Sequence, residues 1–121
     1  HGLELVCPAD AKTKLLLEYA QRMSVMESSP QVTLLLAARF NRAMWKYESM
    51  AYSLVLKHVG VMYEALYLTC AAMGLAGVAL GGGNSAAFAA ASGLSMYQEG
   101  TVGEFVVGSL PASEPIVASA S

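Results

Sequence analysis

The length, composition and charge of this chain limit the kinds of protein that it can be. Its 121 residues suit one small domain, and 55% of them are hydrophobic while only 13% are charged. A net charge of −2 without a basic run argues against nucleic acid as a partner. So little charge leaves apolar surface for a partner to cover, most simply a second copy of the chain.

The cysteines and the most apolar stretch bear on the compartment. Cys7 and Cys70 are far apart and lack metal-ligand spacing, so we expect buried thiols in a reducing, cytoplasmic compartment and no metal site. Residues 59–80 are long enough to span a bilayer and hold one charge, Glu64. We expect no membrane span, because glycines interrupt the segment and neither a basic cluster nor an aromatic belt anchors it. Because the chain begins with His1 and shows no signal peptide, we expect a fragment, a processed product or one part of a split protein.

The first part of the chain predicts a helix followed by a strand. Residues 1–6 alternate weakly and indicate a short edge strand. Asp10 is a predicted N-cap for a helix over 11–26, where apolar residues recur at helical spacing. After a loop at 27–30, residues 31–38 favour a buried strand, although so short a run also fits a helical turn.

A long apolar helix over 46–73 is the predicted centre of the domain. Residues 39–45 have no clean period and are interpreted as a strand end and a loop that lead into it. Its polar positions return to a single helical face, and they are Ser49, Ser53, Lys57, Gly60 and Glu64. A helix that is apolar on its other faces is typically buried, so we expect a buried central helix with Glu48 in its first turn and Gly74 as its terminator.

The last part of the chain alternates short elements with glycine-rich turns. We predict a buried strand over 75–80, a loop with three glycines, and a short helix over 86–92 that Ser85 caps. Residues 101–107 predict a third strand. The tail over 111–121 is rich in Pro, Ala and Ser and needs a partner surface to become ordered.

Several of these features occur together in one known family. In chain order they are R-F-x-R over 39–42, the Lys46–Tyr47 pair, the apolar helix, and G-L-x6-G-G ending in the triple glycine. This pattern, over residues 31–110, resembles the nitroreductase superfamily and within it the SagB/McbC-type dehydrogenases. The resemblance implies an α+β fold with a mixed sheet around the long buried helix, and residues 1–110 would be the C-terminal portion of that domain. It also implies FMN at a dimer interface and oxidation of peptide thiazolines or oxazolines to azoles.

The resemblance makes Lys46 and Tyr47 the candidate catalytic residues. Making an azole removes a hydride and a proton from the ring, so FMN would take the hydride while the protein supplies a base. A tyrosine, with an ordinary pKa of about 10, is a poor base unless a cation lowers that pKa. Tyr47 is therefore the candidate base and Lys46 its activator, or the reverse if Lys46 is desolvated. The alternative is an aromatic–basic pair that only packs at a helix start.

The resemblance also suggests cofactor-binding residues. Gly81, Gly82 and Gly83 match a glycine pair near the flavin in that family, and bare backbone can approach a flat ring closely. Asn84 is a candidate donor to the flavin, and Arg39 is a candidate partner for a phosphate or a peptide carboxylate. The alternatives are a tight turn and a solvated arginine.

Two departures from the family pattern affect the expected partners. Glu64–Ala65 stands where many nitroreductases have Gln-Asn, and no segment before Gln31 replaces the one that holds the FMN phosphate. We therefore expect a homodimer or a complementing chain to complete the FMN site, a peptide as substrate, and cyclodehydratase subunits as further candidate partners. Two alternatives stay open: an FMN reductase that uses a nicotinamide donor, and a flavin-free subunit of a peptide-modification complex.

Overall fold

The computed structural model describes residues 2–111, which form an α+β domain as predicted. Its elements in chain order are α1 (Ala11–Ser24), β1 (Val32–Ala38), α2 (Phe40–Tyr47), α3 (Ala51–Met73), β2 (Leu75–Leu80), α4 (Ser85–Ser92) and β3 (Gly100–Ser109). A 3-10 turn (Glu48–Met50) joins α2 to α3. The predicted tail lies outside the described residues from position 112 onward.

The central strand of the sheet is β3, with β1 and β2 on either side of it. Both pairings are antiparallel. A mixed sheet was expected, but this three-stranded sheet is antiparallel throughout. The reason is that the connection from β1 to β2 through α2 and α3 leaves a gap between the two strands, which β3 fills. Because β1 and β2 both run opposite to β3, their C-terminal ends lie at the same end of the sheet.

Aromatic side chains attach α3 to one face of the sheet. Phe105 of β3 is fully buried, with ring centroids 6.1 Å from Tyr63 and 5.0 Å from Tyr67. The Tyr67 hydroxyl also accepts a hydrogen bond from the backbone N–H of Ala79 at 2.8 Å. The helix runs antiparallel to β2, because it returns from the C-terminal end of β1 to the start of β2. The aromatic contacts hold it on the sheet in this orientation.

The burial of α3 is confined to one side. Ala51, Val59 and Cys70 are its buried residues, whereas Val61 is 70% exposed and Leu68 is 62% exposed. This corrects the expectation of a helix buried all round, because a three-stranded sheet covers only one face of a helix this long. Within residues 2–111, α3 included, no helix combines the length and hydropathy that a membrane span requires.

Helices α1 and α4 cover the opposite face of the sheet. Ala20 of α1 packs with Leu80 and Val106 in a small core cluster, with Met26 against it. The predicted cap of α1 is confirmed, since the Asp10 carboxylate accepts from two backbone N–H groups in a capping box. α1 ends at Ser24, two residues before the predicted end.

The sequence-based predictions are wrong in three local places. Residues 2–6 form no strand. The predicted strand end and loop over 39–45 is instead helix α2, so α3 begins only at Ala51 and Glu48 is not in its first turn. A helical spacing was present in this short segment, and the residues that carry it are Phe40, Ala43, Met44 and Tyr47. The cap of α4 is Asn84 and not Ser85.

Candidate functional site

The Lys46–Tyr47 pair forms the C-terminal end of α2 and not the start of the long helix. Both side chains are exposed, and the Lys46 ammonium lies 5.4 Å from the centroid of the Tyr47 ring. A cation at this distance over an aromatic face is attracted by the ring. The next residue, Glu48, has a φ of 43° and a ψ of −122°, which L-residues rarely adopt. This backbone geometry turns the chain from α2 toward α3 directly after the pair.

The triple glycine follows β2 directly and exposes backbone donors. Within residues 2–111, the N–H groups of Gly82, Gly83 and Asn84 donate no hydrogen bond to another residue. A β-carbon at Gly81 would meet no atom within 4 Å, whereas one at Gly83 would overlap the carboxyl of Glu104. The turn therefore offers consecutive N–H donors that follow an open position at Gly81, an arrangement that suits an anionic or electron-rich ligand atom.

Asn84 has a structural role at the end of this turn. Its side-chain oxygen accepts from the N–H of Ala87 at 2.9 Å and caps α4. Ser85, the predicted cap, instead shares a hydrogen bond of 2.9 Å with the hydroxyl of Thr101 on β3. The Asn84 oxygen is thus already occupied, and only its NH₂ group is free to donate to a ligand.

Arg39 is engaged in an ion pair at the end of β1. Its Nε donates to the Glu99 carboxylate at 2.8 Å, and the Arg39 side chain is 63% exposed. Such a pair adds little stability because solvent screens it. The terminal guanidinium nitrogens make no hydrogen bond within residues 2–111, so they remain available to an anion.

The fold brings these predicted residues to one end of the sheet. Arg39 and Gly81 directly follow β1 and β2, whose C-terminal ends lie toward the same end of the sheet, four residues apart along β3. The start of α3 lies at the same end, because α3 runs antiparallel to β2. Phe40 and Tyr52 hold α2 against this part of α3, with ring centroids 6.2 Å apart. The segment that carries Lys46 and Tyr47 therefore starts from the sheet end where the glycine turn lies.

The sequence-based reasoning missed Glu104, which lies at the centre of the sheet and is only 7% exposed. Burial is the main cause that raises the pKa of its carboxyl, and a hydrogen bond from Thr101 partly opposes this. A glutamate inside the otherwise apolar run of β3 was the available indication, since ionisable residues are almost never buried without a partner.

The two cysteines add no site of their own. Both are free thiols, and Cys70 is buried against the sheet beside Gly77, where a β-carbon would lie 2.8 Å from its sulfur. Within the described part of the chain, no three His, Cys, Asp or Glu side chains come together as a metal site would require. Cys70 is therefore a packing residue between α3 and β2.

Comparison with known proteins gives the family of this chain. The model of the nitroreductase family matches residues 4–109. No curated protein matches the chain. It is similar to a chain of the E. coli microcin synthetase McbBCD complex with truncated pro-MccB17 bound, with 20% identity and a TM-score of 0.76 over 88% of this chain. The match spans 40% of that chain's length, and at this identity it shows the fold alone. Because the family model covers most of its length, the chain belongs to the nitroreductase family.

Proposed function

We propose that this chain is the C-terminal catalytic part of an FMN-dependent oxidoreductase that oxidises thiazoline or oxazoline rings in a peptide to azoles. One observation carries the proposal. In a nitroreductase-family chain, the Lys46–Tyr47 helix, Arg39 and a glycine turn with free N–H donors belong to the same end of the sheet.

The residues at this end are chemically suited to FMN. The N–H groups of Gly82, Gly83 and Asn84 are donors for acceptor atoms of the flavin ring, and the lack of a side chain at Gly81 leaves room for it. The free guanidinium nitrogens of Arg39 are suited to the phosphate. When bound, FMN supplies the acceptor for the hydride that leaves the substrate ring.

Within this proposal, the chain's own residues handle the proton. Oxidation of an azoline to an azole releases one hydride and one proton. In its deprotonated form the Tyr47 phenol oxygen accepts this proton, and the Lys46 ammonium lies 5.4 Å from the centroid of the Tyr47 ring. Because both side chains are exposed here, substrate or a partner chain must cover them to exclude water.

The exposed apolar side of α3 supports a partner at this site. Exposed large apolar residues recur along this helix, and they are Leu56, Val61, Met62, Leu68 and Met73. A second copy or a complementing chain would cover this side and complete the FMN site. The similarity to a chain of a microcin synthetase complex with a truncated pro-peptide bound is consistent with a peptide as substrate and with further partner subunits. We propose cyclodehydratase subunits for that role.

The test begins with the flavin absorbance of the purified full-length protein, before and after addition of FMN. We expect a yellow protein whose flavin absorbance bleaches when it is mixed anaerobically with an azoline-containing peptide. The corresponding azole peptide is the matched control, because it is already oxidised and should cause no bleaching.

Two results would contradict the proposal. Protein that takes up no FMN even with its partner chain present would favour a flavin-free subunit. Flavin that is bleached by a reduced nicotinamide but not by the azoline peptide would favour a nicotinamide-dependent reductase.

A further inference from the structure

The Glu104 carboxyl is enclosed on the face of the sheet that α1 and α4 cover. In the strand register it lies directly between Leu35 of β1 and Leu80 of β2, and opposed residues share one face of a sheet. That face is opposite α3, because the next residue, Phe105, points to the α3 side. An acid held between two leucines has lost most of its water.

The carboxyl also touches the glycine turn. A β-carbon at Gly83 would overlap its carboxyl atoms, so the acid lies directly against the Gly83 backbone. On its α1 side the turn rests on Met23, whose methyl carbon would be 3.3 Å from a β-carbon at Gly82. The turn therefore packs against the Glu104 carboxyl at Gly83 and against Met23 of α1 at Gly82.

No cation compensates the carboxyl within residues 2–111, since Glu104 takes part in neither salt bridge there. Strands β1 and β2, helix α4 and the rest of β3 carry no titratable side chain. From α3 the titratable group nearby is the Tyr63 phenol, which interacts with Glu104. The residues that α1 turns to the sheet and the turn include Leu16, Ala20 and Met23. The titratable residues of α1 are Lys12, Lys14, Glu18, Tyr19 and Arg22.

We propose that Glu104 is a positioning residue of the candidate site, whose buried carboxyl, packed against Gly83, supports the glycine turn in the conformation that presents its N–H groups. The identity of the ligand rests on the proposed function, whereas the link between Glu104 and the turn does not. Ionisation favours hydration of the carboxylate, and water that enters beside the acid competes with its contact to Gly83.

The direction of the pH effect follows from burial. Because burial raises the pKa of Glu104 in the folded protein, the neutral form is favoured by folding. The stability and order that it contributes are fully present below the ordinary glutamate pKa, and they are lost as the pH rises through the raised folded-state pKa. The turn should therefore be best ordered on the acid side of that transition.

The first experiment follows the backbone amide signals of Gly82, Gly83 and Asn84 by NMR in the full-length protein, from about pH 4 to about pH 9. We expect these signals to titrate with one midpoint, above that of an ordinary glutamate and shared with the Glu104 carboxyl carbon. In Glu104→Gln, a neutral mimic of the acid, the turn should keep its low-pH signals throughout. The proposal would be overturned if the turn amide signals of Glu104→Gln titrated as they do in the wild type. It would also be overturned if the carboxyl and the turn had different midpoints in the wild type.

The second experiment measures the Kd for FMN over the same pH range. Above the midpoint the wild-type Kd should rise by up to about tenfold per pH unit, because one proton is linked to binding. The Kd of Glu104→Gln should stay nearly constant. If the wild type binds no FMN at any pH, the proposed function fails, while the amide titration still decides the role of Glu104. A wild-type Kd that does not change with pH would overturn that role.

Discussion

The phenol oxygen of Tyr63 accepts a hydrogen bond from the backbone N–H of Glu104 at 2.9 Å. The bond joins the middle of α3 to the central strand at the residue whose side chain supports the glycine turn on the other face. Burial raises the pKa of Tyr63, so its phenol stays neutral over the physiological range. The long helix and the candidate site therefore depend on the same strand position.

Replacing Tyr63 by phenylalanine should destabilise the protein. The variant removes the acceptor that Tyr63 offers to the buried N–H of Glu104, and a hydrogen bond of this kind contributes about 0.5–1.5 kcal/mol to the free energy of unfolding. Tyr67→Phe is the matched control, because it removes a similar bond of 2.8 Å to Ala79, a residue on the edge strand β2. Urea denaturation should give the smaller loss for Tyr67→Phe, and equal losses would mean that burial does not decide the cost.

Gly83→Ala should be much more damaging than Gly81→Ala. The β-carbon at position 83 would overlap the Glu104 carboxyl, an overpacking that costs about 1–3 kcal/mol of stability. At position 81 the added carbon meets open space, so the unfolding midpoint should change little. Adding Glu104→Ala to Gly83→Ala should cost less than the sum of the two single changes. Strict additivity in thermal or urea unfolding would argue against the contact.

Val25→Gly should stabilise the protein. Val25 ends α1 with a φ of 56°, a left-handed conformation that a β-branched residue adopts only under strain. Glycine removes this strain, and we expect a gain of about 1 kcal/mol in the free energy of unfolding. Val6→Gly, at an exposed position outside the helices and strands, is the control and should bring no gain. A lower unfolding midpoint for Val25→Gly would contradict the assigned conformation.

Tyr47→Phe tests the proton acceptor. It removes only the phenol oxygen, so FMN affinity should be unchanged while single-turnover flavin reduction by the azoline peptide slows by about 10²–10⁴-fold. Tyr19→Phe is the control, because Tyr19 lies on α1, across the sheet from α3, and its rate should match the wild type. An undiminished rate in Tyr47→Phe would exclude Tyr47 as the base.

Local features of the chain were predictable because neighbouring residues determine them. The sequence by itself located all three strands of the described region to within about two residues, since each is a short apolar run bounded by turn residues. It also identified the Asp10 cap and the end of α3 at Gly74, which adopts the left-handed φ that glycine permits. Helix α2 was missed because eight residues hold barely two turns, too few for a period to stand out.

Only the tertiary structure decided which segments meet. The sequence could not give the strand order β1–β3–β2, the exposure of one side of α3, or the contact between Glu104 and Gly83, which are 21 residues apart. Hydropathy reports that a residue prefers an apolar environment, but it does not specify which distant segment provides it. The environment that buries Glu104 against the glycine turn is formed by all three strands and by the helices packed on the sheet. The contact therefore exists only in the folded chain.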